Sequence, residues 1–261
     1  MSVVAVGTVR DEQDIIGTTV EHLLAEVDLV IVEDHLSQDA TPRILEGLRR
    51  IYPEQLLVLT DTSPLFDQAG RMNTLARLAL ERGADWVVPF DADEIWYSPT
   101  GWPLRELLSP SFAADVCMAT VWEHTPDPND PGALLRHRHV LPWPWEKVCY
   151  RPTPDTHLWI GQHGVEGAGD RVDHRAVAMR HLPWRTKAQA RRRVHRDAVS
   201  DLGETAPLHG ENIARYRAMD ADESLFQALW AAVMAEPWTD DPVPLRRPAP
   251  PLSYGPGDDL A

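Results

Sequence analysis

The sequence predicts an α/β fold with a mostly parallel sheet flanked by helices. Two observations carry this expectation. Apolar runs of strand length alternate with helix-period segments through the first ninety residues, and carboxylates gather wherever a run stops. Strands of a parallel sheet are covered on both faces, so they read as continuous apolar runs. Residues 3–9, VVAVGTV, are such a run. Over 12–27, Ile15, Ile16, Val20, Leu23, Leu24 and Val27 recur at helical spacing and define one apolar face. DLVIVED (28–34) gives a second strand. Thr41 before Pro42 then predicts an N-cap with proline at the first helical position, and Ile44, Leu45, Leu48 and Ile51 form that helix's buried stripe. A third strand, QLLVLT, a third helix from Gln68 to Arg82 and a fourth strand, DWVVPFD, complete the pattern.

Composition bounds the rest. A chain of 261 residues and 29.3 kDa, 43% hydrophobic, can bury the core of one continuous domain. It contains no run of 18 apolar residues, and MSVVAVGTVRDEQD lacks the basic and apolar regions of a signal peptide, so a cytoplasmic protein without a membrane span is expected. Cys117 and Cys149 read as buried small hydrophobes. A net charge of −15 repels a phosphate backbone, which argues against nucleic acid as a partner. Lysine occurs only at 147 and 187; the other basic residues are arginine.

Ligands of open α/β sheets sit at the carboxyl ends of the strands. Arg10, Asp11 and Glu12 follow the first strand, Glu33 and Asp34 end the second, and Asp91, Asp93 and Glu94 end the fourth, so all should face one crevice. In an extended segment Asp91 and Asp93 point to the same side and could share one hard divalent cation. A lone D-x-D is more often a solvated turn, but the other strand-end residues favour the metal reading.

Three ordered segments resemble the GT-A fold glycosyltransferases, family 2 or its family-2-like relatives. VVAVGTVRDE is similar to that family's opening strand, IVEDHLSQDAT to its Asp-Asn-x-Ser-x-Asp-x-Thr segment, and VPFDADEIW to its Asp-x-Asp strand end. The resemblance covers residues 3–97 and implies a Rossmann-like sheet with a mixed acceptor-side extension and C-terminal helices. It implies a nucleoside diphosphate sugar as donor and Mn²⁺ or Mg²⁺ as cofactor. Residues 1–97 would bind the nucleotide sugar, with Thr8, Arg10, Asp11, Glu12, Asp34, Asp39, Arg71 and Asp91 on the donor and Ser37 and Thr41 shaping the loop below. Arg71 and Asn73 resemble a segment running along the nucleotide. Asp93 would bind the metal, with Asp91 at the ribose or a metal water. The chain departs from the pattern at Asp11 and His35, where the family has Asn, and at Leu36 and Ala40, where Gly is common.

Residues 98–236 read as the acceptor side. DVCMATVWEH, EKVCYRP, HLWIG and RAVAMRHL are strand-like and are separated by Pro-rich loops such as TPDPNDPG and LPWPW. Trp143 and Trp145, lying between prolines, are candidate stacking surfaces for an acceptor sugar. His163 in GQHGVEG and His181 in RHLPWRT compete as a further metal ligand. An inverting transfer, the expected course, needs a carboxylate base, and Glu166 and Glu123 are the candidates. RTKAQARRRVHRD (185–197) reads as a solvated helix, with Arg185 reaching the diphosphate as the alternative. Residues 237–261, rich in Pro and Gly, read as a flexible or draped tail.

The expected activity is metal-dependent transfer of a hexose from a nucleotide sugar to a small molecule, glycan or protein acceptor. A sugar nucleotidyltransferase should open with a Gly-rich phosphate loop, which VGTVRDEQD lacks. A non-catalytic nucleotide-sugar or carbohydrate-binding protein differs only in turnover, and a transferase acting on modified DNA is disfavoured by charge. A homodimer is compatible with the sequence. Asp93→Ala is expected to abolish donor binding and leave the fold intact.

Overall fold

The computed structural model describes residues 2–63, 67–126, 137–199, 207–235 and 237–240. The first half runs β1 (Val3–Val9), α1 (Ile16–Glu26), β2 (Leu29–His35), α2 (Thr41–Ile51), β3 (Leu56–Asp61), α3 (Gln68–Glu81) and β4 (Trp86–Pro89). Next come β5 (Glu94–Tyr97), the single turn α4 (Leu104–Leu107), β6 (Val116–Glu123), β7 (His137–His139), β8 (Lys147–Tyr150) and β9 (His157–Leu158). After a 3₁₀ turn at Ile160–Gln162 follow β10 (Val165–Glu166), β11 (Val172–Asp173), β12 (Ala178–His181), α5 (Lys187–Val199), α6 (Pro207–Ala221), α7 (Glu223–Ala235) and β13 (Trp238–Asp240).

The main sheet has the order β3-β2-β1-β4-β8-β6-β12-β5. β3, β2, β1 and β4 are parallel, β8 runs against both β4 and β6, and β12 is parallel to β6. It is therefore the expected mostly parallel sheet, with a mixed extension beyond β4. Alternate residues of β1 divide between two cores: Val3, Ala5 and Val9 pack with α1 and α2, while Val4 and Val6 pack with Met72, Leu75 and Ala79 of α3. Gly7 lies against the residue that follows β4, because a Cβ there would lie 2.7 Å from the Phe90 carbonyl and ring. The C-terminal helices carry a third, small core of Ala190, Val194, Met219 and Phe226. Cys117 and Cys149 are opposite one another on β6 and β8, both buried and unbridged.

Several local expectations change. Thr41 is not the cap of α2: Ala40 holds that position, and the buried Thr41 hydroxyl instead accepts the Glu12 N–H at 2.9 Å. The fourth strand stops at Pro89, so Asp91 and Asp93 lie in a turn closed by Glu94 N–H on the Asp91 carbonyl at 3.1 Å, not on an extended segment. The tail begins with structure, since Trp238–Asp240 pair antiparallel with β7; residues 241–261, like 127–132 of the TPDPNDPG loop, lie outside the described residues. Among the described residues no helix is long and apolar enough to cross a membrane.

Candidate functional site at the strand ends

The loops after β1 and β2 are stitched together by side chains. Ser37 Oγ accepts from Asp11 N–H at 2.9 Å, Gln38 N–H donates to Asp11 Oδ1 at 2.6 Å, and Asp39 accepts from Gln13 N–H and Thr41 N–H at 3.0 and 2.8 Å. Asp11 and Asp39 thus hold backbone together. Both loops need left-handed residues, Asp11 at φ 53° and Leu36 at φ 55°. Asp at such a position is tolerated and Leu is strained. Beneath the seam Asp34 is buried, and its Oδ1 has no hydrogen-bond partner among the described residues. Burial pushes its carboxyl above the usual range against the opposing Ser37 hydrogen bond. Thr8 Oγ1 is likewise buried and unpartnered among the described residues. Two polar groups with unspent capacity therefore sit at the ends of adjacent strands.

The turn sends Asp91 and Asp93 to different partners. Asp91 is half-buried and accepts from Lys147 Nζ at 3.1 Å, Gln162 Nε2 at 2.9 Å and Gln68 Nε2 at 3.3 Å. Lys147 also pairs with buried Glu94 at 2.7 Å. Burial and the neighbouring Asp91 push the Glu94 carboxyl up to about 7, with Lys147 opposing, while the two carboxylates push the lysine up against its own burial. Asp93 is 5% exposed and receives Arg193 Nη1 on Oδ2 at 2.8 Å. Arg185 Nη1 and His181 Nε2 stand 3.9 and 3.8 Å from that oxygen. These cations hold the Asp93 carboxyl well below its usual range even though burial opposes them.

The 185–197 segment is not a solvated cover. Arg185, 1% exposed, donates to Glu12 at 2.5 Å, to Asp14 through Nε at 2.9 Å and to the Leu182 carbonyl at 2.9 Å. Arg196 donates to Glu12 Oε1 at 3.1 Å and to the Arg10 carbonyl at 2.7 Å. Glu12, predicted on the donor, is thus ion-paired to the C-terminal region, and burial with nearby Asp93 raises its carboxyl. Arg71 reaches the ends of β2 and β3 instead of running free along α3, bonding Glu33 at 3.0 Å and pairing with Asp61. Asn73 holds both Leu158 N–H and Leu158 carbonyl, at 2.8 and 3.0 Å, and so fixes the start of the 157–166 hairpin.

His181 lies at the register where β12 meets Glu94 of β5 and Glu123 of β6. Its Nδ1 is 3.3 Å from Glu123 Oε1, and Glu123 Oε2 is 3.7 Å from His139. Hydrogen bonding to Glu123 and the surrounding carboxylates raise the imidazole pKa although burial lowers it. A carboxylate behind the imidazole is the arrangement that orients metal-ligating histidines. The 3.8 Å from His181 Nε2 to Asp93 Oδ2 lies between the ~3.0 Å of neighbouring and the ~4.2 Å of opposite ligands, each about 2.1 Å from an octahedral ion. Among the described residues no group of three or more His, Cys, Asp or Glu side chains could hold a metal ion, so this pair by itself is not a Mn²⁺ or Mg²⁺ site. His163 Nδ1 faces the Glu146 carbonyl at 2.8 Å, and burial lowers its pKa. Its ring stands 6.2 Å from that of Trp145. Trp145 and Trp143 are both exposed, as is Trp159, whose indole donates to Glu166 at 3.1 Å.

Lys147, Gln162, Gln68, Asp14, Arg193 and Arg196 were not singled out by sequence reasoning. Only Lys147 carried a signal, as one of two lysines in an arginine-rich chain.

No protein-family model matches the chain, and no curated protein matches it. Solved structures do. S. aureus TarS residues 1–349, solved with UDP, is 14% identical with a TM-score of 0.44, the match covering 84% of this chain and 71% of TarS 1–349. The mannosyltransferase PcManGT from Pyrobaculum calidifontis, solved with GDP-Man and Mn²⁺, is 17% identical at a TM-score of 0.43, covering 90% and 76%. Glucosyl-3-phosphoglycerate synthase from Mycobacterium tuberculosis, solved with Mn²⁺, UDP and glucosyl-3-phosphoglycerate, is 17% identical at 0.33, covering 46% and 44%.

Proposed function

We propose that this protein is a metal-dependent, inverting glycosyltransferase that moves a hexose from a nucleoside diphosphate sugar to an acceptor hydroxyl. The observation that carries the reading is the set of strand-end carboxylates: buried Asp34 at the end of β2, one oxygen of which has no hydrogen-bond partner among the described residues, and Asp91 and Asp93 after β4, each beside cations. Asp34 and Thr8 would accept and donate hydrogen bonds at the ribose or base. Asp93, with His181 beside it, would be among the residues that meet a divalent cation, whose chemistry would be to offset negative charge on a departing diphosphate. Lys147 adds positive charge beside Asp91, where it would favour a diphosphate. Of the two candidate bases, Glu123 is engaged by His181 and His139, whereas Glu166 is exposed and accepts from Trp159. Glu166, the less engaged of the two, is our candidate to take the acceptor proton, with Trp145 as the apolar surface on which an acceptor ring would stack.

The direct test is release of free sugar from UDP-, GDP-, TDP- and CDP-sugars with Mn²⁺, comparing the wild-type protein with Asp34→Asn. Slow hydrolysis of donors with one base, reduced at least about tenfold in the variant, is expected. Equal rates in protein and buffer for every donor would defeat the reading.

A further inference from the structure

Trp159 is 49% exposed, yet its indole is fixed at two points. Its Nε1–H donates to Glu166 at 3.1 Å, and its six-membered ring lies flat on Gly164, where an added Cβ would stand 2.5, 2.8 and 2.9 Å from Cε3, Cζ3 and Cδ2. The backbone closes the same contact, because Trp159 N–H donates to the Gly164 carbonyl at 2.9 Å. One face of the indole is thus covered by the chain, so its exposure belongs to the opposite face.

The hairpin beneath it is tied to the strand ends. Asn73 holds Leu158, and Gln162 donates to Asp91 at 2.9 Å. Gly161 and Gln162 are both left-handed, at φ 71° and 62°, a conformation that is strained for glutamine and that its bond to Asp91 helps to hold. His163 comes next, and its ring stands 6.2 Å from that of exposed Trp145. Since His163 and Gly164 are consecutive, the indoles of Trp145 and Trp159 flank one dipeptide. Each also has a carboxylate beside it: Glu146 follows Trp145 in the chain, and Glu166 accepts from Trp159.

An open indole face with a carboxylate at its rim suits a carbohydrate. A pyranose ring offers a C–H face to the indole and hydroxyl donors to the carboxylate, and Glu166, being exposed, has acceptor positions beyond the one the indole uses. Other occupants match less well. An apolar protein surface would strip water from Glu166 and return no hydrogen bond, and an anionic lipid surface would be repelled by it and by a net charge of −15. A ligand that meets both indoles needs one ring for each.

Resting on the function proposed above, we propose that the acceptor is a glycan of at least two pyranose rings, one stacked on Trp145 and one on Trp159, with an acceptor hydroxyl on Glu166. Trp159 is then an acceptor-binding residue that also holds the Glu166 carboxylate in place.

The experiment needs neither donor nor metal. Wild-type protein, Trp145→Phe, Trp159→Phe and Trp159→Ala are titrated with α- and β-linked disaccharides of glucose, galactose, mannose and N-acetylglucosamine, and with the matching methyl monosaccharides. Binding is followed by the indole N–H resonances, which the two phenylalanine variants assign. At least one disaccharide is expected to shift both signals, to bind about tenfold more tightly than its monosaccharide, and to bind Trp159→Ala about tenfold more weakly than wild type. Trp159→Phe, which keeps a ring but not the bond to Glu166, should fall between the two, and it carries the test if a thermal melt shows the alanine variant unfolded. No disaccharide shifting either signal, or equal affinity in wild type and Trp159→Ala, would overturn the proposal. Equal affinity for one ring and two would overturn the two-ring acceptor, and choline shifting both signals where no sugar does would make the pair a cation site instead. Failure of nucleoside diphosphates to bind would overturn the donor assignment separately, since no donor enters these titrations.

Discussion

Asp91 and Asp93 are separated by one residue, yet they belong to two different parts of the molecule. Asp91 looks toward the mixed part of the sheet, where Lys147 of β8 and Gln162 of the 3₁₀ turn hold it at a half-exposed site. Asp93 looks toward the C-terminal helices and is buried against Arg193, Arg185 and His181. The cause is the turn after Pro89, which replaces the two-residue alternation of a strand with a change of direction. Shared spacing in sequence therefore does not mean a shared ligand: one carboxylate joins the sheet halves, and the other ties the C-terminal region to the strand ends.

The difference should be largest in stability. Asp93→Ala leaves buried arginine charge without its partner, and about 3 kcal/mol is expected to be lost in urea unfolding at pH 7. This replaces the sequence expectation that the fold would be indifferent. Asp91→Ala, at a half-exposed site where Lys147 keeps Glu94, should lose about 1 kcal/mol or less. Equal losses would erase the comparison.

Acidity separates the two sides next. Glu94, on the Asp91 side, is raised from its ordinary 4.5 to about 7, so the unfolded chain ionises first. Its contribution is full below about 4.5 and falls as pH rises to about 7. Asp93 is depressed from 3.8, so its contribution is present above that value and lost as pH falls below it. Glu94→Gln should therefore gain on wild type in melting temperature between pH 5 and pH 8. A constant difference across that range would show that Glu94 titrates normally.

Two smaller effects sharpen the picture away from the crevice floor. Leu36→Gly relieves a left-handed leucine and should raise stability by up to about 1 kcal/mol; a loss would mean that the side chain's packing outweighs the backbone strain. Trp145→Ala, at an exposed ring, should change stability by less than about 0.5 kcal/mol and leave diphosphate affinity untouched. A fall in that affinity would move Trp145 to the donor side.

The regular half of the fold was legible because doubly covered strands and one-sided helices write their burial directly into the sequence: Val3–Val9 and the stripe of α1 are buried as expected. Gathering of carboxylates at strand ends was legible for the same reason, since it follows from where apolar runs stop. What the sequence concealed was pairing across distance. Arg193 and Asp93 are 100 residues apart, and Arg185 and Glu12 are 173 apart, so no local pattern joins them. The arginines of α5 looked like a solvated face because their partners lie on other elements. His181 had no glycine context to recommend it, yet strand register sets it between Glu94 and Glu123. Leu36 showed the reverse: it stood out as a departure from a glycine-favouring position, and the backbone there is left-handed.

Calorimetric titration of UDP, GDP, TDP and CDP, each with and without Mn²⁺, asks whether the strand ends form the proposed nucleoside diphosphate site completed by a metal. One base is expected to be preferred, its diphosphate to bind at least about tenfold more tightly with Mn²⁺, and Asp34→Asn to weaken it. Failure of all four diphosphates to bind in the presence of Mn²⁺ would rule that site out.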